Sequence, residues 1–527
     1  MNQATPASER TRVAAELFVL LTAATLVAGY AAMRYGGLWG EVDTSAAATA
    51  IRAMLQEGQL IPRQVAYPNG YGFQALAVAL LHVTGLSVAQ LQIFGAALLA
   101  VWIVLPAWLA YRELTGSTRG ATLATVFVLV QPEFLFPILR GTHEKFTRGL
   151  MFLALYLLVR SILARRQTRR FAALLLAFYL VSYALVTFNN LMAFSFIAAL
   201  GLALALNLAV QRLFAARGAE STATQRRLLY AIGVSLLLAF LFTFYAYPPA
   251  RHGLQIVRSI GDRLALLFLD VEETAASPYT IVATAWISPW VYLLVSIANW
   301  LLLILSFLLW AAQTWVWQRS RAWPDEPRVR LLWSLYGAFG FLSALSIAVD
   351  FSGALSSNLQ HRIFPTFAML AAPVVAAWLV GRPGTRPLAS RLARGVLAVA
   401  IACLALLALL KATNEPAVSN KWPFYVPAEF VALRWTGEAN PNGATWTEFD
   451  ERLTAAMVIC CVEEIDRRRL ASYQPQPGVR AFLISDVVRA RGQRLGQPLP
   501  IEGDSLRVYD NGAAEIYRLR PATPFQR

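Results

Sequence analysis

Cysteine, histidine and charge are all scarce in this chain: three cysteines, four histidines and 14% charged residues among 527. The cysteines are Cys403, inside an apolar run, and the adjacent pair Cys460 and Cys461. That count excludes a disulfide framework, and no Cys-x-x-Cys zinc pattern is present. The charged content lies well below the roughly 25% of a soluble domain. Acid is scarcer than base, 30 Asp and Glu against 46 Lys and Arg, for a net charge of +16. The basic residues sit in short loops between apolar runs rather than on one soluble face, which argues against nucleic acid as a partner. No internal repeat, low-complexity tract or GxxxG-driven pattern stands out.

What is abundant is hydrophobic sequence, 57% of the chain. Many runs approach the roughly 20 apolar residues needed to cross a bilayer, so the fold class is a polytopic α-helical membrane protein. Spans are expected at Val13–Met33, Gln90–Tyr111, Ala121–Pro137, Thr147–Leu163, Phe171–Phe188, Leu191–Phe214, Leu228–Tyr247, Trp290–Trp317, Leu331–Val349, Ile363–Val380 and Gly395–Leu410. The first run follows Glu9, Arg10 and Arg12 but is too long for a signal-peptide core, so it reads as an uncleaved helix. Phe73–Val83 is apolar but short, and reads as a re-entrant or interfacial segment.

Loop charge chooses between about eleven spans and twelve, because cytoplasmic loops collect Lys and Arg. With eleven spans and a cytoplasmic N-terminus, the inside loops hold Arg112 and Arg119; Arg165, Arg166, Arg169 and Arg170; Arg217, Arg226 and Arg227; Arg319, Arg321, Arg328 and Arg330; and Arg382, Arg386, Arg391 and Arg394. A twelfth span at Phe73–Val83 would put all of these outside. The eleven-span arrangement predicts a multi-pass protein of the plasma (inner) membrane with everything after Lys411 extracytoplasmic. Residues 1–411 then form the membrane domain, with a first outer loop at 34–89, and residues 412–527 form an outer α/β domain. In that domain Phe424–Trp435 reads as a helix, Trp446–Cys461 as a further element, and Ala481–Ser485 and Ser505–Tyr517 as strands. Asp510-Asn511-Gly512 is a hairpin signal.

The unusual residues collect on the outer side, including three of the four histidines, with His82 in the short segment. In the first outer loop Glu41-x-Asp43 precedes an amphipathic helix at Thr44–Glu57, and Tyr67-Pro68-Asn69-Gly70 is a turn signal. Carboxylates near a membrane are costly, about 2.5–3.5 kcal/mol at mid-bilayer on insertion scales and less near the surface. Glu41 and Asp43 therefore read as a general base or metal ligand, or alternatively as a helix N-terminal cap. Arg140, His143, Glu144 and Lys145 form the second outer cluster; they fit either a solvated turn or a carboxylate–imidazole site for Mg²⁺ or Mn²⁺. His361-Arg362, before a late span, offers a guanidinium fork for phosphate or a snorkelling interfacial arginine. Arg251, Arg258 and Arg263 have acidic neighbours, Asp262, Asp270, Glu272 and Glu273, that favour surface pairing. Trp286, Trp290, Trp315, Trp317, Tyr245 and Tyr247 sit at span ends as an interfacial belt.

An N-terminal span, an acidic pair in the first outer loop, an amphipathic helix, a Tyr-Pro turn and a short apolar helix ending in Thr84-Gly85 together resemble the polyprenyl-phosphate-dependent glycosyltransferases of the GT-C superfamily. Leu139-Arg140-Gly141-Thr142-His143-Glu144 stands where those proteins carry an acidic residue in the second outer loop. Arg362 is similar to a basic residue they use for the lipid-linked phosphate, and Arg507 to Tyr517 looks like the end of many uncharacterised members. The resemblance implies sugar transfer, with inversion, from a polyprenyl-phosphate donor to a glycan, lipid or protein acceptor at the outer face. It implies Asp43 as general base, its pKa raised by burial, with Glu41 and Glu144 beside it. Arg362, His361 and Arg140 would meet the lipid phosphate, and Asp43, His143 and Glu144 would hold Mg²⁺ or Mn²⁺. No Trp-Trp-Asp-Tyr-Gly motif is present, which speaks against reading asparagine sequons, and the His-Pro-Pro of protein mannosyltransferases is missing. Two other readings are a secondary transporter, expected to carry its charges at mid-bilayer on broken helices, and a non-catalytic scaffold or receptor with an outer domain.

Overall fold

A computed structural model of the chain describes residues 6–34, 42–63, 66–163, 168–213, 219–251, 258, 289–320, 324, 326–351, 359–381, 391–413, 426–439, 444–446, 479–486, 489 and 505–518. Helix α1 is Pro6–Arg34, α2 Val42–Glu57 and α3 Gly72–Thr84. A capped turn (Val88–Gln90) and a π-helical turn (Leu91–Gly95) lead into α4, Ala96–Thr115. Then follow α5 (Thr118–Leu129), α6 (Pro132–Leu139), α7 (Glu144–Leu163), α8 (Thr168–Phe188), α9 (Asn190–Leu213) and α10 (Ala219–Leu241). The later membrane helices are α11 (Pro289–Ser320), α12 (Pro327–Phe351), α13 (Leu359–Val380) and α14 (Arg391–Ala412).

Ten helices among the described residues are long and apolar enough to cross a membrane, and eleven if α5 and α6 are taken as one span. The expected span Ala121–Pro137 is not straight: α5 and α6 meet at 76°. The sequence reason is Pro132, which has no N–H to continue the helix and sits in the first turn of the new one. The bend turns Leu139 and Arg140 across the end of the bundle instead of along its axis.

The middle of the bundle is α13, where Ala368 to Ala372 are wholly buried. It packs against α12, α5 and α11, and the Tyr336 and Phe367 rings meet at a tilt with centroids 5.1 Å apart. Outer helices keep apolar surface exposed, such as Leu392, Val396 and Val399 on α14 and Ile304, Phe307 and Leu308 on α11. In hydrocarbon such surface carries no transfer penalty.

The C-terminal part holds a helix, α15 (Pro427–Ala439), and a four-stranded sheet of order β1-β2-β4-β3. The strands are β1 Ala444–Trp446, β2 Val479–Ser485, β3 Leu506–Asp510 and β4 Ala514–Arg518. β1 runs parallel to β2, and the β2–β4 and β4–β3 pairs are antiparallel. The hairpin forms where Asp510-Asn511-Gly512 announces it: Gly512 has φ +86°, and Asp510 Oδ1 accepts from its N–H at 2.8 Å. Of Trp446–Cys461, only Trp446 lies within the described residues.

One apolar cluster joins this part to the first loop: Ala47, Ala48 and Ile51 of α2 and Phe73 and Leu81 of α3 belong with Phe482 and Leu483 of β2 and Ile516 of β4. The short segment therefore packs under the C-terminal strands as a helix of 13 residues.

The same end of the bundle carries an ion pair between Lys411, at the end of α14, and Glu133, in the first turn of α6, with side chains 8% and 13% exposed. Removing one partner leaves the other charge buried. Lys411→Met is expected to lower stability by about 3 kcal/mol, read as a thermal shift in detergent, and Glu133→Leu/Lys411→Met to recover most of it.

Candidate active site

Helix α2 starts at Val42, two residues earlier than the expected Thr44, so Asp43 lies in its first turn. Its carboxylate meets Arg140, at the end of α6, with Nη1 3.0 Å from Oδ2. Arg140, which the resemblance assigns to the lipid phosphate, here holds the candidate base. The Asp43 side chain is 48% exposed, so the burial expected around it is not what surrounds it, while the arginine is 11% exposed. What holds the carboxylate is a charge-assisted hydrogen bond from a side chain that is itself fixed.

Residues 140–145 are fixed by close backbone approach. A Cβ on Gly141 would lie 2.6 Å from Thr44 Cγ2 and 3.1 Å from the Gln92 carbonyl, so only glycine fits against α2. Gln92, buried in the π-helical turn, donates through Nε2 to Thr44 O at 3.2 Å and to Gly141 O at 2.9 Å. One amide thus ties the first turn of α2 to the loop that carries Arg140. Lys145 is fully buried, not a surface charge, and donates to the carbonyls of Arg140 and, at 3.1 Å, Thr142.

Glu144 begins α7. Its Oε2 lies 3.4 Å from Nε of Arg148, one turn on, and the buried Arg148 also donates to Thr366 Oγ1 of α13. Thr366 sits four residues after Arg362, one helical turn and the same face. This link brings the first turn of α13 to the end of the bundle that holds Asp43 and Glu144. The side chains of His361 and Arg362, and the whole of Glu41, lie outside the described residues, as do His252 and Arg263.

His143 is buried between two partners. Its Nε2 lies 2.9 Å from Asn189 Nδ2, and its Nδ1 3.4 Å from Tyr67 Oη. The orientation of Asn189 is set by helix capping, since its Oδ1 accepts from Met192 N in the first turn of α9 at 3.1 Å. The amide nitrogen must then be the group that donates to His143, which makes Nε2 an acceptor and puts the imidazole proton on Nδ1. Burial holds the His143 pKa below the ordinary imidazole value, against the opposing pull of Glu144.

Asp43, His143 and Glu144 therefore do not fit a divalent cation as a set. Both histidine nitrogens already have partners, and Asp43 is held by a guanidinium. Among the described residues no group of three or more His, Cys, Asp or Glu side chains is placed to hold a metal.

Several residues of this site were not singled out in the sequence. Arg148 had a signal, a charge within an apolar run. Asn189 and Asn190, two amides between two long apolar runs, had a weaker one. Tyr247 was expected in an interfacial belt with Tyr245; Tyr245 is exposed, but Tyr247 is buried and donates to Tyr67 O at 2.6 Å. Arg251 does not reach a phosphate-like cluster: its Nη2 donates to Phe244 O at 2.6 Å.

Two outcomes follow. Gly141→Ala is expected to push the 140–143 loop off α2 and cost about a hundredfold in kcat, measured alongside an unchanged elution profile. For His143, the unfolded imidazole titrates near about pH 6.5 and the folded one lower. The unfolded state therefore binds more protons below that pH. Stability is full above it and falls as pH drops through this window. Thermal melts at about pH 7.5 and 5.5 should show this fall in the wild type and a smaller one in His143→Asn.

No family model and no curated protein sequence matches the chain. Solved structures do match. ArnT from Cupriavidus metallidurans, bound to undecaprenyl phosphate, is 14% identical with a TM-score of 0.51, covering 98% of each chain. The oligosaccharyltransferase AglB of Archaeoglobus fulgidus, in complex with an inhibitory peptide and a dolichol-phosphate, is 11% identical with a TM-score of 0.54, covering 89% of this chain and 69% of that one. A structure of the Archaeoglobus protein with Zn and sulfate gives 12% identity and a TM-score of 0.52, covering 88% and 68%. At these identities the likeness is one of fold: the chain shares the multi-pass helical fold of these solved structures.

Proposed function

We propose that the protein is a membrane glycosyltransferase that moves a sugar from a polyprenyl-phosphate donor to a hydroxyl acceptor at the outer face of the plasma membrane. The observation that carries this is the joining of Asp43, Arg140, His143 and Glu144 at one end of a GT-C-like bundle. The two structures most useful for comparison hold a dolichol-phosphate and undecaprenyl phosphate. Residues 1–411 are the membrane domain and 412–527 an outer domain. The basic residues of the loops expected inside support a cytoplasmic N-terminus.

In the proposed reaction an acceptor oxygen attacks the anomeric carbon from the face opposite the phosphate. Asp43 takes the hydroxyl proton, the bond from carbon to phosphate oxygen breaks, and polyprenyl phosphate leaves with the electron pair. Configuration inverts. Arg140 fixes the plane of the Asp43 carboxylate. Arg362, one turn above the Thr366 anchor, meets charge developing on the phosphate, with His361 beside it. Glu144, oriented by Arg148, positions the acceptor, and Glu41 adds to the acidic side. No step is routed through a metal. A transporter would carry its charges at mid-bilayer on broken helices, whereas this cluster lies at one end.

Transfer from a radiolabelled polyprenyl-phosphate sugar pool tests the role of Asp43. Asp43→Asn is expected to lose about 10²–10⁴-fold in rate. Equal transfer by the two proteins removes Asp43 from the mechanism.

A further inference from the structure

Tyr67, part of a turn signal in the sequence, has a closely held backbone beside the candidate site. Its backbone carbonyl is fixed by the Tyr247 hydroxyl at 2.6 Å. The next residues are locked as well: Asn69 O accepts from Asn190 N at 2.8 Å, and a Cβ on Gly70 would fall 2.1 Å from Thr187 O. The Tyr67 ring packs against the His143 ring at 5.4 Å between centroids. Its phenolic oxygen lies 3.4 Å from His143 Nδ1 and, at the outer limit, 3.5 Å from Asn69 Nδ2.

Asn189, oriented by its cap on α9, leaves the proton on His143 Nδ1, so the phenolic oxygen is an acceptor in that contact. Asn69 Nδ2 is also a donor. Both contacts use oxygen lone pairs, and among the described residues the phenolic hydrogen has no acceptor. A neutral O–H donor is therefore held, by a histidine that is in turn held by a helix cap, within the electrostatic reach of Asp43, Glu144 and Arg140. Burial raises the phenol pKa, so the proton stays on at working pH.

We propose that Tyr67 contacts the substrate directly, its hydroxyl donating to a phosphate oxygen of the polyprenyl-phosphate donor, and that His143, as its Nδ1–H tautomer, is the positioning residue that aims it. This rests on the glycosyltransferase reading and adds a phosphate-binding residue from the first outer loop. It also gives His143 a role as an aligning group, in place of a metal ligand.

The test uses the full chain in lipid nanodiscs and two probes, undecaprenyl phosphate and undecaprenol. Tyr67→Phe is expected to weaken binding of the phosphate by roughly tenfold or more, as for a hydrogen bond to a charged group, and to leave undecaprenol unchanged. An asparagine nitrogen can replace His Nδ1, whereas glutamine reaches the Nε2 position. His143→Asn should therefore keep phosphate affinity within about threefold, and His143→Gln should lose as much as Tyr67→Phe. Tyr67→Phe/His143→Gln should lose no more than Tyr67→Phe alone, because the pair acts as one unit. Wild-type affinity in Tyr67→Phe overturns the proposal and leaves the glycosyltransferase reading standing. A wild type that binds neither probe overturns both. Equal loss of both probes in Tyr67→Phe assigns the residue to the fold alone and also overturns the proposal.

Discussion

The contact between Asp43 and Arg140 is what the candidate site depends on, and it exists only because two backbones are pressed together. Gly141 admits Thr44, Gln92 bridges the two carbonyls, and Lys145 gathers those of the same loop. The first is a steric fit; the Gln92 and Lys145 contacts are hydrogen bonds in a low-dielectric setting, where breaking one leaves a buried polar group without its partner. The half-exposed carboxylate can thus be held by a rigid frame while staying open on the side a substrate would approach.

A second frame runs through the bundle. Glu144, Arg148 and Thr366 join the start of α7 to α13, the most buried helix. The Lys411–Glu133 pair ties the last membrane helix to α6, whose far end carries Arg140. The bend at Pro132 lets α6 lie across the end of the bundle and present that arginine to α2. The apolar cluster shared by α2, α3 and the C-terminal strands covers the same region from above. Charges that would be expensive singly in a membrane are paired, Glu144 with Arg148 along one helix and Glu133 with Lys411 between two.

Most of the spans are legible in the sequence because hydropathy over about 20 residues is a strong signal. The hairpin at Asp510-Asn511-Gly512 is legible because its turn chemistry is specific. The bend at Pro132 is signalled by the proline but hidden by uninterrupted apolarity on both sides. Asp43, His143 and Glu144 stand out because they are polar residues at span ends. Their partners do not. Gln92, Tyr67, Asn189 and Thr366 are ordinary residue types, and their roles arise from contacts between segments 46 to more than 200 positions apart. The same blindness explains Arg140: sequence shows a cation on the outer side, and only the fold shows that its anion is Asp43. The tautomer of His143 is decided by Asn189, whose orientation is fixed by a helix cap that periodicity alone does not reveal.

The most direct measurement is an experimental structure of the protein in nanodiscs with undecaprenyl phosphate bound. The expected result is a phosphate at the end of the bundle between Asp43 and the first turn of α13, with the Arg362 guanidinium within roughly 3 Å of its oxygens. A phosphate bound at the opposite end, or an Arg362 side chain turned out to lipid with the lipid in place, contradicts the assignment of this pocket to sugar transfer.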